Sequence, residues 1–494
     1  MLGLTTGIII CLMVVYVFGF DKFHANYKDI HLLEMNQAFA GNLYTGNATP
    51  GPLGPALRSE ILGLKYVVRT KEESQSLTRY EEKAIYQKSI YAEPEFFHLM
   101  TFPAIEGDPV VTLREGSGVV LTQSAARRLF GMGTALGKTI LLNNTHPLKV
   151  GAVIRDLPQN SSIEFDLALP FTLFEKNNEW IGNWGNRSVQ TWVQLQPRAS
   201  LEAVNRQMTQ LLLKNSSLKQ VSLFAYPIAR LHLYDNFKDG KPYWGKAYLI
   251  IVIAFIAFLT LLIACINFMN LSTAMAERRA REVGLRKVLG ATRQVIIGQF
   301  LGEAVLLAML ALVLSIGLAW LVLPWFAAFA ELPLNNQFGN PWVWTLLLLI
   351  GLFTGLVAGS YPALYLSHFE PAKVLKRLMS IGRKGALLRK GLVTFQFVIS
   401  IFLVVTSIVV VKQVHYVANR PLGYETSNLI DISADGNLPG RYDLFKTKVE
   451  NIPGVVNVSQ HRQPHRGWRF SDGIGLAGKE TGPGFYHPCN LGPI

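Results

Sequence analysis

The chain has 494 residues, half of them apolar and only 16% charged, against the roughly 25% charged of ordinary soluble domains. Its formal net charge of +14 would suit a nucleic-acid partner, but stretches 277–293 and 370–390 hold thirteen Lys/Arg against three Glu and so carry +10 of it. Charge packed between apolar runs, instead of along a folded basic face, excludes nucleic acid and points to a membrane protein with basic cytoplasmic loops.

In chain order, Leu2 to Phe20 is uncharged and close to the about 20 residues needed to span a bilayer. It lacks a basic leading region and a small-x-small site before Asp21, so it reads as an uncleaved first span. Its bare start reads as lacking a cytoplasmic leader. Segment 21–245 follows, with 24 basic and 21 acidic residues. "GVVLTQSAARRLFG" predicts a strand over Val119-Val120-Leu121, then a helix capped by Thr122 and closed by Gly131. "PLKVGAVIRDLP" and "TWVQLQP" predict further strands, giving an α+β domain.

"GMGTALGKT", Gly131 to Thr139, imitates a phosphate-binding loop. That motif needs four residues between its first Gly and its Gly-Lys and a strand before it. Here Gly131 and Gly137 enclose five residues after a predicted helix, so nucleotide binding is rejected and Lys138 is read as a turn residue. His24, His31, His98, His146 and His232 are scattered with no His-Glu-x-x-His, and Cys11, Cys265 and Cys489 form no Cys-x-x-Cys. Neither a catalytic constellation nor a metal site is read, and the chain is taken as a non-enzyme.

Four more apolar runs, at about 247–271, 298–323, 342–363 and 391–411, complete five predicted transmembrane helices. Trp325, Trp342 and Trp344 stand at their ends, as an interfacial aromatic belt requires. Loop 277–293 carries six basic residues and loop 370–390 seven, while loop 325–341 carries only Glu331. That asymmetry places the first two in the cytoplasm and both 21–245 and 415–494 outside it. The expected fold class is an α-helical membrane protein with a large α+β extracytoplasmic domain. The expected partition is span 2–20, domain 21–245, permease segment 246–368, basic linker 369–390, span 391–411 and an incomplete second external domain over 415–494. Glu303 falls about one turn into the third span. It is either a functional intramembrane carboxylate or an interfacial group paired with Arg293 or Gln299.

In "ERRAREVGLRKVLGATR", Glu277/Arg281, Arg278/Glu282 and Glu282/Arg286 are each four apart. Such pairs stabilise a helix by about 0.2–0.5 kcal/mol each, so the basic loop is predicted to extend the second span as a helix. Gly290 ends it at a C′ position. Charge alone leaves two uses open: docking of another protein, or anchoring to anionic headgroups.

The stretch "ERRAREVGLRKVLGATRQVIIGQFLGEAVLLAMLALVLSIGLAWLVLPWF" closely resembles the signature of FtsX-like permeases, the membrane subunits of MacB-type ABC transporters. "VVLTQSAARRLFGMGTALGKTI" with "KVGAVIRDLPQNSSIEFDLALP" resembles the MacB-like periplasmic core domain. "GSYPALYLSHFEPAKVLKR" and "LRKGLVTFQFVISIFLVVTSIVVVKQ" resemble the end of a first permease half and the start of a second. The resemblance covers nearly the whole chain and is nearest the duplicated, eight-span form, from which both ends are expected to be trimmed. After about Arg462 the chain turns Gly/Pro/His-rich.

The resemblance implies a bacterial inner-membrane permease without a cofactor of its own, ATP being bound by a separate cytoplasmic ATPase. It implies ATPase coupling through Glu277, Arg281, Glu282, Gly284, Arg286, Lys287, Gly290 and Ala291, with export or extraction of an envelope substrate, and favours docking for the basic helix. The implied partners are that ATPase and the bilayer, with a periplasmic adaptor or a second permease copy as further candidates. The alternative is an FtsX-like regulator that activates a periplasmic cell-wall hydrolase, or senses peptide antibiotics, without transporting them.

Overall fold

The computed structural model describes residues 1–39, 42–216, 220–367, 383–420, 428–430, 432 and 441–459. It separates into two units, Met1–Gly423 and Tyr424–Ile494. Most of the basic stretch 369–390 and the Gly/Pro/His-rich end lie outside the described residues. In the second unit the described helix is Tyr442–Glu450.

Five apolar helices belong to the first unit: α1 (Leu2–Phe18), α2 (Gly245–Val288), α3 (Arg293–Ala330), α4 (Pro341–Ser367) and α5 (Arg383–Ala418). Among the described residues, four are long and apolar enough to cross a membrane, one fewer than the five expected. The exception is α1, whose 17 residues rise only about 26 Å at 1.5 Å each, short of the about 30 Å hydrocarbon core. It ends early because Gly19 to Asp21 leave the helix to join the external domain, with Asp21 at φ 58°.

Every fourth residue of α1, Ile8, Leu12, Tyr16 and then Phe20, is buried against α2, α3 and the turn at Leu334. Lipid is as apolar as leucine, so helices in a bilayer associate through close packing. On α4, Gly351, Gly355 and Gly359 share one stripe. A Cβ at Gly355 would lie 2.7 Å from the Val305 Cα, and one at Gly359 would lie 2.5 Å from the Ala304 Cβ.

Between α1 and α2 lies the external domain, a twelve-stranded sheet among the described residues. Its main path runs Val221–Pro227, Ile30–Phe39, Arg187–Leu195, Leu64–Tyr80, Lys83–Ala92, Leu167–Pro170, Gly118–Thr122, His146–Ile154 and Ala104–Gly107. The last two pairings of Gly118–Thr122 differ in sense: it is antiparallel to Leu167–Pro170 and parallel to His146–Ile154. Val119 and Leu121 enter one core and Val120 another. A strand buried on both faces reads as the unbroken apolar run seen in the sequence. Thr122 then caps Gln123–Phe130 by accepting from the Ala125 amide at 3.2 Å, and Gly131 closes it at φ 68°.

Ahead of Lys138 the phosphate-loop look-alike indeed follows a helix, and the ammonium sits 5.2 Å and 4.9 Å from the Tyr80 and Phe130 ring centres. At the centre of the domain Arg69 and Glu93, each 8% exposed, form an ion pair of 2.7 Å that joins adjacent strands.

Candidate functional site

The basic loop is helical, as its i,i+4 pairs require. α2 runs 44 residues without interruption into it. Its end is a Schellman closure. Gly290 adopts φ 95°, its amide donates to the Lys287 carbonyl at 3.1 Å, and the Ala291 amide donates to the Arg286 carbonyl at 2.9 Å. A side chain at position 290 would be strained by that φ alone. Thr292 then leads directly into α3, so residues 289–292 form a tight elbow between two long helices.

The elbow is bound to the ends of its neighbours. Glu282 Oε1 accepts from Arg286 Nη2 at 2.5 Å, and Arg286 also donates to Gln299 on α3. Lys287 Nζ donates to the Ser367 carbonyl, the last residue of α4, at 2.7 Å, and Arg293 Nε donates to the Ser367 hydroxyl at 3.3 Å. Val283 and Gly284 are buried. Leu285, Val288 and Leu289 are 55%, 60% and 79% exposed. The sequence did not show that Arg286, Lys287 and Arg293 bond to the ends of the neighbouring helices. The side chains of Glu277 and Arg281 lie outside the described residues.

Glu303 accepts from Gln299 at 3.2 Å. From Trp342, about 30 Å of α4 ends near residue 362. At that level Gly359 meets Ala304 and Leu301 of α3, beside Glu303 in the chain.

At the opposite end of α2 is a second constellation that the sequence did not announce. Tyr16 Oη donates to the Gln159 carbonyl at 2.7 Å, and Asn160 Nδ2 donates to the Gly19 carbonyl at 2.8 Å. Asp21 is fully buried and accepts from the Ser162 amide at 2.8 Å and the Ser162 hydroxyl at 2.6 Å. Burial pushes its carboxyl up to about 6, against the pull of the two Ser162 bonds.

Phe20 stacks on His232, ring centres 3.4 Å apart, and burial holds that imidazole down to about 4. The Leu233 carbonyl accepts from the Ala247 amide at 3.1 Å. The tops of α1 and α2 are thus both fastened to the base of the external domain. The only hint of this in the sequence is the turn-rich "PQNSS" after a strand.

These features match two family models: the MacB-like periplasmic core domain over residues 1–211 and the FtsX-like permease C-terminal domain over residues 254–371. The chain belongs to the MacB/FtsX-like ABC transporter permeases. It is 24% identical over 361 residues to an uncharacterized ABC transporter permease, YknZ of Bacillus subtilis, covering 71% of this chain and 83% of that one. To the macrolide export ATP-binding/permease protein MacB of Haemophilus ducreyi it is 26% identical over 292 residues, covering 57% and 39%.

A Campylobacter jejuni MacB is 31% identical over 146 residues, covering 29% and 22%. The chain therefore spans less than half the length of these MacB proteins. Among solved structures it is similar to the extracellular domain of the YknZ transporter from Gram-positive bacteria (TM-score 0.32, 15% identity, covering 40% of this chain and 98% of that one). It is also similar to the periplasmic region of MacB from Actinobacillus actinomycetemcomitans (TM-score 0.31, 16% identity, covering 41% and 94%).

The permease is a multi-pass inner-membrane protein with its large domain in the periplasm. Permeases of this family are generally non-catalytic, and membership implies an ATPase partner.

Proposed function

We propose that this permease passes the movement of a separate cytoplasmic ATPase to its periplasmic domain, so that ATP hydrolysis drives export or extraction of an envelope substrate. The observation that carries the reading is the continuity of α2. One unbroken helix joins the elbow at Val288 to the fastened base of the periplasmic domain at Gly245. At about 1.5 Å per residue its 44 residues extend about 66 Å, twice the hydrocarbon thickness. The coupling group is the elbow: Glu277, Arg281, Glu282, Gly284, Arg286, Lys287, Gly290 and Ala291. Glu303 terminates it at the membrane edge.

The test is a photo-crosslinking amino acid at position 289 of the full chain in native membranes. Mass spectrometry of the crosslinked product should identify a P-loop ATPase subunit. A crosslink to lipid alone, or to proteins without an ATPase domain, refutes the coupling assignment.

A further inference from the structure

We propose that the hairpin Asn236–Tyr243 is a proton-linked latch. It lies closed on the sheet while the Glu34 carboxyl beneath it is uncharged, and loss of that proton frees the hairpin at the junction from which α2 begins. The inference is independent of the ATPase coupling proposed above.

Glu34 belongs to the strand Ile30–Phe39 and is only 5% exposed. Across the antiparallel ladder its partner is Phe224, with Tyr226 opposite Leu32 and Ser222 opposite Asn36. Paired residues share a face, so Glu34, Asn36, Phe224 and Tyr226 look the same way. The hairpin closes over that face. At one end the Phe237 ring packs on Phe224 and Tyr226, centres 5.8 Å and 5.2 Å apart. At the other end Gly240, at φ 73°, approaches so closely that a Cβ there would lie 2.9 Å from Asn36 Nδ2 and 2.6 Å from Leu43 Cδ2. The two contacts bracket Glu34 along its strand.

The carboxyl has no hydrogen bond or ion pair among the described residues. The ionisable groups on the surrounding elements are Tyr226, then Arg230, Tyr234 and Asp235 beyond it, and Lys238, Asp239 and Lys241 on the hairpin itself. Strand Asn42–Gly46 offers this face only Leu43 and Thr45. Asp235 pairs with Lys246 at 3.7 Å, and Lys238 lies 5.9 Å from the Tyr243 ring centre. Burial therefore acts unopposed on Glu34 and pushes its carboxyl up to about 8. A buried carboxylate without a partner is costly, so ionisation demands water. The hairpin strands Asn236–Lys238 and Lys241–Tyr243 pair only with each other among the described residues. The hairpin can thus lift and admit water without breaking a ladder of the large sheet. The Leu233–Ala247 bond and the Asp235–Lys246 pair would then hold the outer end of α2 without the hairpin's packing.

With the hairpin open, Glu34 returns to about 4.5; closed, it stands at about 8. Closing takes up a proton between these values, so the closed latch is favoured most below about 4.5 and loses favour as pH rises through about 8.

The experiment is amide exchange of the full chain in detergent, read over Tyr234–Tyr243 for wild type and Glu34→Gln at pH 5.5 and 7.5. Glutamine is uncharged at both, so the ratio of wild-type to variant protection isolates Glu34; His232 is carried by both proteins and cancels. From pH 5.5 to 7.5 the ratio should fall about fiftyfold, and a fall of less than about tenfold overturns the proposal. Glu34→Met, a second uncharged replacement, should give the same fall. Protection over Leu64–Tyr80 checks that the sheet is intact in each variant. In a Gly240→Val background, where the side chain collides with Asn36 and Leu43, the hairpin is already displaced and Glu34 already hydrated. The same Glu34→Gln comparison should there give a constant ratio. A tenfold fall that persists in that background means that the titration does not depend on the hairpin, and equally overturns the latch.

Discussion

Replacing Glu93 by Gln tests whether the charged centre of the periplasmic domain holds its sheet together. Glu93 accepts from Arg69 Nε at 3.0 Å, Arg69 Nη2 at 2.7 Å and the Arg69 amide at 2.9 Å, and also from Arg58. Glutamine keeps one acceptor oxygen and turns an amide donor towards the guanidinium, so at least two charge-assisted bonds are lost. At about 1.5–3 kcal/mol each, the loss is about 3–5 kcal/mol, the range for breaking one side of a buried pair. Glu175 also reaches Arg69, at 2.9 Å, but it is 36% exposed and more weakly coupled. Arg58 is 40% exposed, so Arg58→Ala should cost only about 1 kcal/mol.

The assay is amide exchange of the full chain in detergent, followed over Leu64–Tyr80 and Lys83–Ala92, the strands these residues join. Glu93→Gln should accelerate exchange there about a hundredfold or more, and Arg58→Ala less than about tenfold. Equal effects of the two variants, or less than about threefold for Glu93→Gln, would refute the assignment of the pair as the domain's central tie.

Two further outcomes are expected. A carboxyl held at about 6 instead of 3.8 contributes stability that is fully present below about 3.8 and lost as pH rises through about 6. The ratio of wild-type to Asp21→Asn amide protection at Gly19–His24 and Gln159–Ile163 should therefore rise about tenfold from pH 7.5 to 5. A ratio that stays constant across this range would refute the buried carboxyl as the source of the dependence. His24 and His232, both held down to about 4 by burial, take up protons when the segment opens below about pH 6.5 and so oppose this rise; the ratio cancels them because both proteins carry them. Separately, Gly355→Leu should lower the melting temperature in detergent by many degrees, because its Cβ meets the Val305 backbone at 2.7 Å. Gly298→Leu, with nothing within 4 Å of its Cβ, is the matched control, and equal melting of the two would refute the close packing of α3 on α4.

What the sequence disclosed was local. Thr122 and Gly131 bound a helix because a capping hydroxyl and a left-handed glycine act within four residues of their own position. Glu282/Arg286 and Gly290 disclosed the elbow for the same reason. What stayed hidden depends on partners distant in the chain. The Lys287–Ser367 bond joins residues 80 apart, and the Asp21–Ser162 bonds join residues 141 apart. Charge counting made the cations of the elbow its outward feature. In the fold, Arg286, Lys287 and Arg293 also bond within the chain, because the ends of α3 and α4 offer carbonyl, hydroxyl and amide acceptors that helix α2 alone lacks. Likewise α1, an obvious apolar run, is shorter than expected because Asp21 belongs to the periplasmic loop at 159–162.

The three helices that meet at the elbow differ in stiffness, and this bears on how a push there would travel in the proposed reading. α3 contains Pro324 and α4 contains Pro362. Each breaks a step of the backbone ladder and admits a kink. α2 contains no proline in 44 residues. It is flanked by α1 where Gly3 lies against Ala264 and Thr260. At its periplasmic end both helices are fixed to one body, α2 through Leu233 and Asp235, and α1 through Gln159, Asn160 and Ser162. In that reading, displacement of the elbow would be carried along α2 and delivered, with α1, to the base of the periplasmic domain. Bending is left to α3 and α4, whose periplasmic ends are joined through the turn at Leu334–Gly339.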